Sequence, residues 1–193
     1  MRRNLPFIFG AAPRDLGFTL LEVMLVVALG MVVTAISIPV SRNLIQRSKA
    51  TSSNMEVLTW LETARNRAAA ERRNFEVTFD ATQRSIRIQR VESSGTKTLI
   101  LLRQLPDIVA FTKFSAAPDT PDKFGAASAI DFDGPTPHMF TSEGMFVDAN
   151  GDPSNGTFFM GKAGRPDTGT AITVFGATGL LRSWKLSGTQ WIR

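Results

Sequence analysis

The chain has no cysteine among its 193 residues. Disulfides and thiolate metal sites are therefore excluded. Secreted domains of this size also fold without bridges, so the absence leaves an extracytoplasmic location open. Histidine is almost missing too. His138 stands alone, with no second imidazole or thiolate to complete a zinc set. No GxGxxG or GxxxxGK[ST] run offers a phosphate cradle, and nothing around His138 marks a Ser-His-Asp arrangement. Composition thus points away from an enzyme and implies no cofactor.

Ionisable groups are scarce in one place above all. Across residues 18–40, a run of 23, Glu22 is the only one. A helix of that length rises roughly 35 Å, enough to cross a bilayer's hydrocarbon layer. A charge at the bilayer centre costs about 2.5–3.5 kcal/mol. Glu22 lies one helical turn from Phe18, near an interface where the cost is smaller. Gly30 and Pro39 are placed to bend or soften this helix, with Pro39 the kink position.

The formal charge is +5, of which residues 1–17 hold +2 through Arg2, Arg3 and Arg14 against Asp15. The remaining excess is mild and reads as solvated surface rather than a nucleic-acid footprint. Charge does not orient the span: Arg42, Arg47 and Lys49 follow it as closely as three arginines precede it.

Beyond the apolar run the helix becomes amphipathic. Val57, Leu61, Ala64 and Ala68 recur in steps of four, three and four, with Met55 and Leu58 beside them. Glu56, Glu62, Arg65, Arg67, Arg72 and Arg73 occupy the other faces, and Asn74 is the expected stop. One long helix over 18–72 is the expectation.

From Phe75 the period shortens to two. Phe75, Val77 and Phe79 alternate with polar residues, as do Ile86 and Ile88, so a hairpin turning over 80–85 is expected. Further strands are expected at 98–103, 109–114, 129–132, 145–147, 157–160, 170–175 and 180–186. Eleven glycines and six prolines after residue 114 suit short strands joined by tight turns. The fold class expected is α+β, one long helix packed on antiparallel sheet. Residues 116–127, with Pro118, Pro121 and few large apolar groups, read as a mobile loop. Asp148-Ala149-Asn150-Gly151-Asp152 imitates the start of a calcium loop, but Pro153 and Phe159 stand where that loop needs glycine and a bidentate glutamate. A hairpin turn is the better reading.

Gly17-Phe18-Thr19-Leu20-Leu21-Glu22-Val23-Met24-Leu25-Val26-Val27 resembles the processing site of type IV prepilins and type II secretion pseudopilins. The resemblance implies cleavage after Gly17 by a membrane peptidase, N-methylation of Phe18, and an assembly role for Glu22, five positions into the mature chain. Its carboxylate would pair with the amino terminus of a neighbouring subunit; the simpler alternative is a side chain that snorkels to the headgroups. Pro39 falls where many members have a helix-loosening proline. The domain order implied is a leader over 1–17, a membrane half-helix over 18–40, an amphipathic continuation over 41–73, and a periplasmic β-rich domain over 74–193.

Ala64-Arg65-Asn66-Arg67-Ala68 and Thr178-Gly179-Leu180-Leu181-Arg182 resemble the GspH/FimT family of minor pseudopilins, the first loosely. This resemblance implies a non-enzymatic, single-pass subunit of the inner membrane, incorporated into a pseudopilus or type IV pilus or its tip. The partners implied are the prepilin peptidase/methyltransferase, other pseudopilins or pilins, the inner-membrane assembly platform and membrane lipid. The alternative is DNA capture in natural transformation. For that role Arg182, Lys185 and Arg193 are the candidates, interleaved with Trp184 and Trp191. DNA-uptake members carry Gly-Arg-x-Arg here, and Gly179-Leu180-Leu181-Arg182 keeps only the second arginine.

Overall fold

The computed structural model describes residues 18–115 and 117–193, without the side chains of Ile36, Ile38, Pro39 and Val40. Helix α1 spans Leu20–Glu71, 52 residues. Its start is capped by sequence: the Thr19 hydroxyl accepts the Glu22 amide N–H at 3.2 Å. The helix assignment passes through Gly30 and Pro39. In the apolar part, the hydroxyls of Thr34, Ser37 and Ser41 each donate to the carbonyl four residues earlier, at 2.7, 2.8 and 2.9 Å. These back-bonds leave no hydroxyl hydrogen needing an outside acceptor. Helix α1 stops at Glu71, before the expected Asn74, because Arg72 turns left-handed at φ 51°. The Arg73 N–H then reaches the Ala68 carbonyl at 3.2 Å, closing the last turn.

The chain divides into two units between Arg42 and Asn43. In the first, the side chains from Leu20 to Ala35 are all exposed.

The second unit holds the rest of α1 and eleven strands: β1 (Asn74–Asp80), β2 (Ser85–Val91), β3 (Lys97–Gln104), β4 (Ala110–Phe111), β5 (Ile130–Phe132), β6 (His138–Phe140), β7 (Phe146–Val147), β8 (Gly156–Gly161), β9 (Thr170–Phe175), β10 (Leu180–Ser187) and β11 (Gln190–Ile192). A single 3-10 turn, Pro166–Thr168, precedes β9. Every strand pairing is antiparallel. There are two sheets among the described residues. The first runs β3-β2-β1-β6-β7; the second runs β11-β10-β9-β8-β4, with β5 also on β8. The fold class is α+β, as the periodicity required. Strands β6, His-Met-Phe, and β11, Gln-Trp-Ile, lie outside the segments expected as strands.

The helix stripe is where its spacing put it. Val57, Leu61, Ala64 and Ala68 are buried, together with Ala50, Ser53 and Asn54. The five apolar residues among these join one core with Phe75 and Val77 of β1, Phe158 and Met160 of β8, Ile172 and Val174 of β9, and Leu181 of β10. A second core lies on the opposite face of the second sheet, built from Phe159, Ala171, Leu186, Trp191 and Phe114. Strand alternation separates the two: Phe158 and Ile172 point one way, Phe159 and Ala171 the other. Residues 117–127 cover that second face.

Candidate functional site

The amino-terminal motif begins at residues of which Gly17 lies outside those described. Phe18 is 80% exposed and precedes the helix. Thr19 caps α1 and Glu22 sits at its third residue, the Thr-x-x-Glu spacing of a capping box. An acid there also complements the positive end of the helix. Leu20, Leu21, Met24, Leu25 and Val26 are each more than half exposed, and Val27 is at 50%. A continuous apolar surface of this kind needs lipid or partner chains to cover it. Among the described residues, no helix is long and apolar enough to cross a membrane. The side chains described without a gap reach from residue 18 only to residue 35, and that of Pro39 lies outside them.

The candidate DNA-contacting residues are not gathered on one surface. Arg182 and Lys185 are three apart on β10, so they project from opposite faces of the sheet. Arg182 is engaged: its guanidinium bonds the carboxylate of Asp122, a side chain only 8% exposed. The other oxygen of Asp122 accepts from the Thr173 hydroxyl at 2.6 Å, and Trp184 Nε1–H donates to that hydroxyl at 3.1 Å. Trp191 is buried, its Nε1–H bonded to the Pro118 carbonyl at 2.8 Å. Phe124 stacks on Phe175 with ring centroids 5.8 Å apart. The tryptophans are core residues. Lys185 and Arg193 remain exposed. These same bonds correct the expectation for residues 116–127: Asp122, Phe124 and the Pro118 carbonyl pin the segment to the sheet.

The Asp148 loop is a turn. Asp148 is buried, and one carboxylate oxygen accepts the amide N–H groups of Asn150 at 2.8 Å and Asp152 at 3.0 Å. The carboxylate is occupied by its own backbone. Among the described residues no group of three or more His, Asp or Glu could hold a metal ion. His138 is buried in an aromatic setting, parallel to the Phe146 ring at 5.7 Å, with Nε2 3.1 Å from the Asp133 carbonyl. A cavity of about 430 Å³ opens beside it, where Glu76 pairs with Lys97 at 2.6 Å over Phe79 and Phe132. Glu76 is buried on the polar beat of β1, so alternation alone read it as solvent-facing. Its burial depends on β3 and β6, which lie far off in sequence.

Residues 13–38 match the prokaryotic N-terminal methylation motif. The match brackets Gly17, Phe18 and Glu22. Two structures of the minor pseudopilin EpsH, from the type II secretion system of Vibrio cholerae, align with the chain. One aligns at 15% identity over 75% of this chain and 99% of that one, with a TM-score of 0.50. The other aligns at 14% identity over 70% and 95%, with a TM-score of 0.49. The chain carries a prepilin-type methylation motif on a pilin-like fold. At these identities the likeness to EpsH is one of fold. No curated protein matches the chain.

Proposed function

We propose that the chain is a minor pseudopilin or minor pilin, a non-enzymatic subunit of a type II secretion pseudopilus or a type IV pilus. The supporting observation is the methylation motif over residues 13–38, which runs into helix α1, whose first turns are apolar and uncovered. In this reading the prepilin peptidase cuts after Gly17 and methylates Phe18. The apolar helix holds the subunit in the inner membrane as a single pass, with the β-rich domain in the periplasm. There the subunit awaits the assembly platform and its fellow pilins.

Glu22 then acts between chains. Its carboxylate and the new amino terminus of a neighbour neutralise each other in an apolar setting, where either alone is costly. The pair also fixes how far one helix slides along the next. Gly17 serves cleavage because a residue without a side chain admits the peptidase to the backbone. Residues 18–40, 41–73 and 74–193 are the membrane half, the amphipathic half and the periplasmic domain of this scheme, with Pro39 softening the first.

Two variants separate the steps. Glu22→Ala is expected to be processed normally yet missing from the sheared filament fraction; normal incorporation refutes the pairing role. Gly17→Leu is expected to leave only the full-length band. DNA capture gains no observation, since Arg182 is paired with Asp122 and Lys185 projects from the other face.

A further inference from the structure

At the start of the second unit, α1 and the 3-10 turn are joined by polar bonds. Arg47 Nε donates to Asp167 at 2.9 Å, Lys162 Nζ to the Gln46 side-chain carbonyl at 3.3 Å, and Arg165 to that of Asn43 at 3.1 Å. Arg165 also closes a fork of two bonds on Asp167, at 2.9 and 2.8 Å. With Lys49 exposed on the following turn, four cations share this end with one carboxylate. The balance is +3. Arg47 keeps half of its side chain, 51%, in solvent even while paired.

The same helical turn leaves large apolar groups uncovered: Leu44 is 60% exposed and Ile45 54%. Cations beside uncovered aliphatic side chains are the composition of a surface that lies in a bilayer interface. An acidic protein surface answers the cations and leaves Leu44 and Ile45 in water. An anionic headgroup layer takes both. In sequence, Asn43 to Arg47 also come three to seven residues after the apolar run over 18–40, where a segment bound to headgroups is expected.

We propose that this collar, Arg47, Lys49, Lys162 and Arg165 with Leu44 and Ile45, docks the folded domain on anionic lipid headgroups before assembly. The inference rests on the membrane-anchored reading above. Docking holds the domain down on the bilayer, and extraction into a filament must break it.

The absence of cysteine makes the test clean. Ala163→Cys, exposed beside Lys162, carries a single fluorophore on the full chain in proteoliposomes. Nitroxide-headgroup lipid reports its contact with the surface, in phosphatidylcholine alone or mixed with phosphatidylglycerol. Quenching is expected to rise with the anionic lipid, each engaged cation shifting the contact equilibrium about five-fold. It is expected to fall as salt is raised, and to be lost in Lys162→Glu/Arg165→Glu. Equal quenching in the two lipids, or indifference to salt in the unsubstituted collar, overturns the proposal without relying on the double variant's folding. An alkaline carbonate wash separates the premises. A chain retained yet indifferent to lipid charge sinks the collar alone, and a chain released sinks the anchor and the collar together.

Discussion

The two faces of the second sheet are covered by different means. One receives α1 through a regular stripe, Val57, Leu61, Ala64 and Ala68, packed on Phe158, Ile172 and Val174. The other receives residues 117–127, a segment of prolines and small residues that supplies little apolar area. Its hold comes from directed bonds instead: Asp122 to Arg182 and Thr173, and Trp191 to the Pro118 carbonyl. Packing that scales with area tolerates small shifts along the stripe. A clamp of a few bonds loosens locally, by an amount set by which group is lost and what it leaves unpaired. Helix face and loop face should therefore break differently.

The largest effect is expected on the helix face. Phe158 is wholly buried and its ring lies 4.8 Å from that of Phe79. Phe158→Ala should cost about 3–5 kcal/mol in the denaturant midpoint of the whole domain. A smaller, local effect is expected from Asp122→Ala, which strands Arg182 and the Thr173 hydroxyl. About 2 kcal/mol is expected, tempered by the partial exposure of Arg182. Amide exchange should rise over residues 117–127 and remain slow in β8 and β9; a uniform rise would erase the distinction between the faces. Trp191→Phe keeps the ring packing and removes one bond, for about 1 kcal/mol.

The smallest effect is a matter of acid. The guanidinium of Arg165, and after it that of Arg47, holds Asp167 well below the ordinary carboxylate range despite the burial that opposes it. A carboxylate depressed in the folded state contributes fully above its unfolded value near 3.9 and loses that contribution as pH falls toward the native one. The stability difference between the wild type and Asp167→Asn should be flat above about pH 4 and shrink below it. Thermal melts at stepped pH read this directly. A difference that shrinks instead between pH 5 and 7 would mean another group is titrating.

The contrast between the faces also explains what was legible. Helix α1, its buried stripe and most strands follow from spacing, because a period of 3.6 or 2 is a property of neighbours in sequence. The clamp is not: Asp122 and Arg182 are 60 residues apart, and no spacing in the sequence pairs them. The loop reading of 116–127 judged the segment by its own composition, whereas its order is borrowed from the sheet. Arg182, Lys185, Trp184 and Trp191 looked like one surface because they are close in sequence. Strand alternation sends Lys185 to the face opposite Arg182, and the tryptophan N–H groups find partners inside. At the amino terminus the situation reverses. There the sequence motif, from Gly17 to Glu22, carries the functional reading, and the described structure adds the capped helix start and its bare apolar flank.

The central claim is that the chain matures by losing its leader and gaining a methyl group. Intact-mass and amino-terminal peptide spectra of the native protein, extracted from membranes, test it most directly. The account predicts a chain beginning at N-methylated Phe18. A chain that still carries residues 1–17, with no methylated phenylalanine amine, would contradict it.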